Sequence, residues 1–299
     1  MPGTACVYVE CPRDAWQGFA TVIPTEVKVG YVRSLLEAGF TRLDLGSFVS
    51  PRAVPQTADT EALLAALTVP EGVELSCVVL NERGVERAAT TRATHVGFPL
   101  SVSETFQRRN ARQTLAEAWA LLARLQAAAR AAGLGFTVYL SMGFGNPYGE
   151  PWRPEDTARA LARVRQHGVT RVVLADTVGT ATPERLEAVL EAAAREGAAA
   201  SELGLHLHAP PGGWQATVAL ALARGVRWFE GALGGLGGCP FAADARTGNL
   251  PTEAVLPFLL ERGFSVTPAG APLGDLAAAA RALRERYDLP RPPERGGAA

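Results

Sequence analysis

Two histidines, His206 and His208, stand one residue apart in the segment LGLHLHA. Side chains alternate between the two faces of a β-strand, so a strand here places both imidazoles on one face, opposite Leu205 and Leu207. Two neutral imidazoles suit a divalent cation, and a carboxylate such as Asp14 from a strand across the fold would complete a partly open ligand set. The alternative is a pair of interior histidines bonded to backbone or water.

Charged residues at other strand-like runs offer further groups for such a site. Arg13 and Asp14 end the first run, where they act either as substrate clamp and metal ligand or as a surface ion pair worth under ~1 kcal/mol. Asp44 lies within the run TRLDLGSF and could instead pair with Arg42. Asp176 precedes a turn and a helix start, where a purely structural role is the alternative.

The segment GALGGLGGCPFA is dense in glycine. Because glycine costs backbone entropy, this density indicates close approach to a ligand or a mobile loop, with a flexible surface turn as the alternative. Cys239 in this segment is either a reactive thiol acting as acid or base or an ordinary packed residue. Lys28 is the only lysine of the chain, so a Schiff-base mechanism would need it, and it falls within a helical pattern.

Eight short apolar runs must position these residues, and amphipathic helical patterns alternate with them along the chain. The runs are ACVYVEC, TRLDLGSF, VELSCVVL, THVGFPL, FTVYLSMGF, RVVLADTVG, LGLHLHA and VRWFEGALGG. Eight such units in roughly 250 residues predict an α/β fold, the (β/α)8 TIM barrel, whose active site lies at the C-terminal ends of the strands. Neither GxGxxG nor a P-loop motif occurs, which disfavours a Rossmann dehydrogenase or a P-loop kinase.

The remaining segments TEAVLPFLLERGF and GDLAAAARALRERYDLP predict extra C-terminal helices, so we expect one barrel domain over 1–299 with a flexible tail at 289–299. The net charge is −1 and no basic tract occurs, which excludes nucleic acid and anionic membrane surfaces as expected partners. No signal peptide and no apolar run of ~18 residues is found, which predicts a cytoplasmic protein with reduced cysteines.

Five segments, in order over residues 5–265, together resemble the 3-hydroxy-3-methylglutaryl-CoA lyase family: ECPRDAWQG, GSFVSPRAVPQ, ADTVGTATP, LHLH and GLGGCPFA with TGNL. The most specific are GSFVSP with VPQ, and GGLGGCPF, which is similar to the active-site loop of that family. The resemblance implies a (β/α)8 metallolyase that binds Mg²⁺ or Mn²⁺ and cleaves 3-hydroxy-3-methylglutaryl-CoA to acetyl-CoA and acetoacetate.

The resemblance also implies roles for individual residues. The implied metal-binding residues are Asp14, His206, His208 and Asn249. Arg13 matches the arginine that stabilises the enolate of the departing acetyl-CoA. The other implied active-site residues are Cys239 of the loop, Asp44, Asp176 and, for substrate binding, Gln17. Family likeness and the apolar C-terminal helices favour a homo-oligomer.

Among the positions that depart from the family pattern, two concern carboxylates. The family has a glutamate where this chain has Asp44, and an aspartate where it has Ala209. The chemistry itself agrees with the resemblance, since retro-Claisen cleavage needs a polarised hydroxyl, a base for its proton and positive charge beside the forming enolate. The alternatives are a divergent lyase acting on another 3-hydroxyacyl-CoA or hydroxy acid, and a non-catalytic barrel that binds a metal or an acyl-CoA.

Overall fold

The computed structural model describes residues 4–238 and 247–288. Eight parallel strands form its centre: β1 Val7–Glu10, β2 Arg42–Ser47, β3 Glu74–Val78, β4 His95–Ser101, β5 Gly135–Ser141, β6 Arg171–Asp176, β7 Leu203–Ala209 and β8 Trp228–Gly231. Each strand pairs with the next one along the chain, and β8 pairs with β1, so the sheet closes on itself. This closed parallel sheet confirms the predicted TIM barrel.

Helices surround the barrel: α1 Pro12–Trp16, α2 Thr25–Glu37, α3 Thr60–Ala65, α4 Glu82–Ala89, α5 Glu104–Ala111, α6 Leu115–Ala131, α7 Pro154–Gln166, α8 Pro183–Arg195, α9 Gln215–Ala223, α10 Thr252–Glu261 and α11 Leu273–Tyr287. Short 3-10 turns lie at Pro55–Thr57, Ala200–Glu202 and Leu233–Gly235. The two predicted C-terminal helices are α10 and α11. The prediction of one domain over 1–299 stays a prediction, and residues 289–299 lie outside the described residues.

Local sequence signals explain where the longer helices begin and end. Thr114 starts α6 by accepting a hydrogen bond from the Glu117 amide, and the Glu117 side chain bonds back to Thr114. Gly133 and Gly197 follow α6 and α8 with φ of 70° and 78°, a conformation that glycine adopts without steric cost. These caps fix where α6 and α8 end, and the chain then enters β5 and β7.

A ninth strand, β9 Gly248–Asn249, pairs antiparallel with β7. Its register places Asn249 opposite His208 and Gly248 opposite Ala209. A strand of two residues has no periodicity that a sequence pattern could reveal. The pairing brings a distant segment of the chain to the C-terminal end of β7.

Charged residues close the N-terminal end of the barrel. Glu74 bonds Arg171 at 2.8 and 3.1 Å, and it lies 3.4 Å from both the Arg42 Nε and the His95 Nε2 atoms. Both guanidinium groups also stack on the Trp228 ring, at 5.2 and 5.7 Å from its centroid. These five residues begin their strands, and we call them the N-terminal charge layer.

Among the described residues, no helix is both long enough and apolar enough to cross a membrane. Cys6, Cys11 and Cys77 are buried free cysteines. Lys28 is buried on α2, where its ammonium group bonds Asp59 at 2.7 Å and the Gln56 carbonyl. The only lysine is therefore part of the helical layer and not of a strand end.

Candidate active site at the C-terminal end of the barrel

β7 presents His206 and His208 on the same face, as the sequence predicts. Their Nε2 atoms lie 3.1 Å apart. The Asp14 Oδ2 atom lies 3.6 Å from the Nε2 of His208 and 3.9 Å from that of His206. All three side chains are buried. The structure therefore brings together the three residues that the sequence favours as metal ligands.

Arg13 and Asp14 lie on the short helix α1, directly after β1, and not at the end of a strand. Pro12 occupies the first helical position, where its fixed φ favours a helix start. Because β1 and β7 both flank β8, Asp14 reaches the histidines from the next strand but one, and the expectation of a strand across the barrel is wrong. Asp14 is buried and the Arg13 side chain is only 13% exposed, so the surface ion pair is also wrong.

Arg13 is held from two sides. Its Nε and one terminal nitrogen donate to Asp44 at 3.0 and 2.5 Å, and its other terminal nitrogen donates to Asp14 and Gln17 at 3.0 Å each. Although burial opposes the charge, Asp44 and Asp14 raise the pKa of Arg13. These bonds use four of the five N–H groups of the guanidinium, and one has no partner within residues 4–238 and 247–288. Asp44 thus pairs with Arg13 and not with Arg42.

Asp14 is surrounded by donors. Gln17 donates to its Oδ1 atom at 2.7 Å and Asn249 donates to its Oδ2 atom at 2.7 Å. Burial alone would raise the pKa of Asp14, but the Arg13 charge and the nearby imidazoles of His208 and His206 lower it well below the usual value. Asp14 is therefore a permanent carboxylate.

We call Asp14, His206, His208 and Asn249 the ligand cluster, and its donor atoms fit a divalent cation. One oxygen or nitrogen from each of Asp14, His206 and His208 lies within 4.8 Å of the others. The 3.1 Å between the Nε2 atoms matches the roughly 3.0 Å between neighbouring ligands of an octahedral ion with bonds of about 2.1 Å. The buried Asn249 Oδ1 atom has no hydrogen-bond partner in the described chain, which leaves it free to bind a cation.

Glu230 on β8 is a functional residue that the sequence analysis did not single out. Its Oε2 atom lies 3.0 Å from the His206 Nδ1 atom, and its Oε1 atom accepts from Tyr139 and Trp228 at 3.3 and 3.2 Å. When Nδ1–H donates to this carboxylate, the Nε2 atom of His206 is unprotonated, and its lone pair is directed toward the other members of the ligand cluster. The available signal was an acidic residue inside the apolar run VRWFEGALGG.

The Asp176 carboxylate binds the loop that follows β6. It accepts from the backbone amides of Thr180 and Ala181 at 2.9 and 2.7 Å, and from the Thr180 hydroxyl at 3.2 Å. These bonds favour the structural alternative for Asp176. Cys239 lies outside the described residues.

The described part of the glycine-rich segment packs against the ligand cluster. Gly237 has φ of 93°, and a Cβ atom there would lie 2.6 Å from the Asn249 Nδ2 atom and 2.9 Å from the Asp14 carbonyl oxygen. The Leu236 carbonyl accepts from Asn249 at 2.8 Å. Glycine is therefore required at position 237, because its backbone lies against the candidate ligands Asn249 and Asp14. This agrees with close approach to a functional site and not with a flexible surface turn.

Known proteins resemble the chain over nearly its whole length. The HMGL-like family profile matches residues 10–282. Hydroxymethylglutaryl-CoA lyase YngG of Bacillus subtilis is 32% identical over 281 residues, which cover 94% of this chain and 92% of that protein. (R)-citramalyl-CoA lyase of Chloroflexus aurantiacus is 33% identical over 291 residues, 94% and 90% of the two chains. The crystal structure of the HMG-CoA lyase from Brucella melitensis has a TM-score of 0.87 and 32% identity, covering 96% of this chain and 100% of that one.

Proposed function

The chain belongs to the HMGL-like family, and from this membership and its site we propose that it is a metal-dependent carbon–carbon lyase that cleaves 3-hydroxy-3-methylglutaryl-CoA to acetyl-CoA and acetoacetate. One observation carries the proposal. Asp14, His206 and His208 converge at the C-terminal end of the barrel, directly beside the half-buried Arg13. Active sites of TIM barrels lie at this end.

We propose that the ligand cluster holds Mg²⁺ or Mn²⁺. Carboxylate and amide oxygens suit both ions, and three or four protein ligands leave positions open for substrate oxygens. A cation bound there polarises the substrate hydroxyl and carbonyl oxygens. Glu230 supports this role because it fixes the His206 ring with Nε2 toward the cluster.

Cleavage breaks the bond between C2 and C3 of the substrate. The C3 hydroxyl gives up its proton and becomes the ketone of acetoacetate, while the bonding electron pair stays with C2 as the enolate of acetyl-CoA. A carboxylate or imidazole beside the proposed cation takes the hydroxyl proton, and the Cys239 thiol returns a proton to C2. The cysteine assignment rests on the sequence resemblance alone.

Arg13 supplies the positive charge beside the enolate oxygen. Its remaining N–H group is the donor for that oxygen, and a fixed donor aimed at developing charge lowers the barrier more than a mobile one. Asp44 and Gln17 are positioning residues, because they bind the other edges of the guanidinium. Gln17 is also the substrate-binding residue that the resemblance implies.

A lyase acting on another 3-hydroxyacyl-CoA is the second candidate. It is favoured by the half-buried Ala209, which ends β7 beside the ligand cluster with no carboxylate, and by the similarity to (R)-citramalyl-CoA lyase. The carbon–carbon cleavage is the same in both candidates, and only the groups that contact the substrate differ. A cytoplasmic location and a homo-oligomeric state complete the proposal.

The deciding experiment measures acetoacetate released from 3-hydroxy-3-methylglutaryl-CoA by protein stripped of metal and then reloaded with Mg²⁺ or Mn²⁺. We expect release only with metal, and none from His206→Ala. Citramalyl-CoA assayed in parallel tests the second candidate. Tight binding of Mn²⁺ that depends on His206, without turnover of either thioester, would contradict both candidates and support a binding protein.

A further inference from the structure

Another buried carboxylate, Glu10, lies at the end of β1 but outside the site. In the pairing of β1 with β8, Val9 stands opposite Glu230, so Glu10 faces away from the barrel interior. Its Oε2 atom accepts from the hydroxyl of Thr252, the first residue of α10, at 2.5 Å. The Tyr8 hydroxyl lies 3.0 Å from the same Thr252 oxygen. Glu10 is 1% exposed and takes no part in the proposed chemistry.

The other oxygen of Glu10 binds the start of the glycine-rich segment. Its Oε1 atom accepts from the Leu233 amide at 2.9 Å. The chain leaves β8 at this point and returns at Thr252, so both ends of the excursion 232–251 meet at one carboxylate. Two backbone hydrogen bonds also join the two ends of this excursion, which we call its base. The Ala232 amide donates to the Leu250 carbonyl at 3.0 Å, and the Thr252 amide donates to the Ala232 carbonyl at 3.3 Å.

The segment that Glu10 holds is the one that contacts the ligand cluster. Three residues after Leu233, the Leu236 carbonyl fixes the Asn249 amide group. Gly237 then packs on Asn249 and on the Asp14 backbone with no room for a side chain. A shift of the base at Leu233 therefore changes the position of Asn249 relative to Asp14.

We propose that Glu10 is a positioning residue of the active site, which holds the base of the glycine-rich segment and through it keeps Asn249 against Asp14. Glu10 touches neither the ligand cluster nor the proposed substrate position. The structural part of this inference is independent of the reaction, while its catalytic consequence rests on the proposed function.

The protonation state of Glu10 suits this role. Burial raises its pKa to about 8, although the bonds from Thr252 and Leu233 oppose the shift and Glu253 of α10 adds to it. The other titratable groups around it are Tyr8 and Cys11 beside it on the chain, and Tyr31 of α2. Below pH 8 the neutral carboxyl keeps Oε1 as the acceptor for the Leu233 amide and carries its proton on Oε2, toward the Thr252 hydroxyl, which can accept a hydrogen bond as well as donate one. Glutamine has the same shape and the same pair of functions.

The test compares Glu10→Leu with the isosteric Glu10→Gln at pH 7. The readouts are amide hydrogen exchange at Leu233, Mn²⁺ affinity of the metal-stripped protein, and kcat and KM for the thioester. For Glu10→Leu we expect faster exchange at Leu233, Mn²⁺ affinity and kcat lower by about 10-fold, and little change in KM. Glu10→Gln should retain wild-type values.

Glu74→Gln controls for a general loss of stability, because Glu74 lies in the N-terminal charge layer. The proposal is overturned if Glu10→Leu keeps wild-type exchange and Mn²⁺ affinity, or if Glu74→Gln reproduces its changes. If Glu10→Leu does not fold, Thr252→Val decides, since it removes only the hydroxyl and should give the same changes in smaller degree. Absence of lyase activity in the wild-type protein would contradict the proposed function. Amide hydrogen exchange at Leu233 and Mn²⁺ affinity would still decide the role of Glu10.

Discussion

The two ends of the barrel treat buried polar groups in opposite ways. At the N-terminal end, Glu74 meets two arginines and a histidine, so each charge faces its opposite. At the C-terminal end, the Asp14 carboxylate accepts from Arg13 but also faces the imidazoles of His206 and His208, so three groups that can offer lone pairs converge there. A divalent cation would satisfy all three at once. The difference agrees with a structural role for the N-terminal end and with the binding role proposed for the C-terminal end, because folds depart from self-satisfied pairing at functional sites.

The variant with the largest expected effect on this comparison is His208→Ala. The Nδ1 atom of His208 has no partner among the described residues, and its Nε2 atom contacts only His206 and Asp14 of the ligand cluster, so we expect the ring to contribute less to stability than to cation binding. We expect kcat to fall by about 10³-fold or more with loss of Mn²⁺ affinity, since a ligand of the catalytic ion is removed. Denaturant unfolding of the metal-free variant should change little. A large loss of stability without loss of Mn²⁺ affinity would break the comparison.

Arg13→Lys sharpens the comparison within the C-terminal end. Lysine keeps the charge, but it cannot bind Asp44 by two parallel bonds and donate to Asp14 and Gln17 at once. We expect kcat to fall by about 10²-fold with a smaller change in KM, as for loss of one preorganised oxyanion donor. Steady-state kinetics at saturating metal measures both constants. An unchanged kcat would show that charge alone suffices.

Glu230→Gln tests the support behind the ligand cluster. The amide keeps the shape but donates poorly placed hydrogens to His206 and removes the charge that favours its Nδ1–H tautomer. We expect Mn²⁺ affinity and activity to fall by about 10- to 100-fold. Isothermal titration of the metal-stripped protein gives the affinity. Affinity equal to wild type would remove Glu230 from the site.

At the other end, Glu74→Gln should change stability and leave catalysis intact. The variant leaves Arg171 and Arg42 without their shared carboxylate, which we expect to lower the free energy of unfolding by about 1–2 kcal/mol. Urea unfolding measures this loss, and kcat at a temperature well below the transition should equal that of the wild type. Loss of kcat without loss of stability would contradict the division between the two ends.

The smallest expected effect is the pH dependence contributed by His95. Burial lowers its pKa below 6.5, although Glu74 opposes the shift. The unfolded chain therefore binds more protons than the folded one just below pH 6.5, and stability falls as the pH drops through this window. His95→Gln should show a flatter dependence than wild type in urea unfolding at pH 7 and pH 5. A steeper dependence would mean that His95 is stabilised as a cation.

The sequence was sufficient for the barrel and for the histidine pair, because both follow from periodicity. Eight apolar runs map onto β1 to β8, and spacing of two residues puts His206 and His208 on one face. The partner of Asp44 was not predictable, because Arg42 is near in sequence but begins β2 at the opposite end of the barrel from Arg13. The sequence does not show which of these two arginines lies at the same end of the barrel as the Asp44 carboxylate, because this depends on how the strands align with one another.

Glu230 and Glu10 were missed for a related reason. Each is a single acid in an apolar run, and nothing in the run shows whether it faces the interior or the helices. In the structure Glu230 faces His206, whereas Glu10 faces Thr252. Alternation gives the relative face of two residues in one strand, but the absolute face depends on packing between segments far apart in the chain.

The pairing of β9 with β7 makes the active-site region modular. Asn249 is placed by its backbone register with His208 and by the Leu236 carbonyl, and not by the number of residues that precede it. The length of the chain between Leu236 and Gly248 can therefore vary while the position of Asn249 beside Asp14 stays the same.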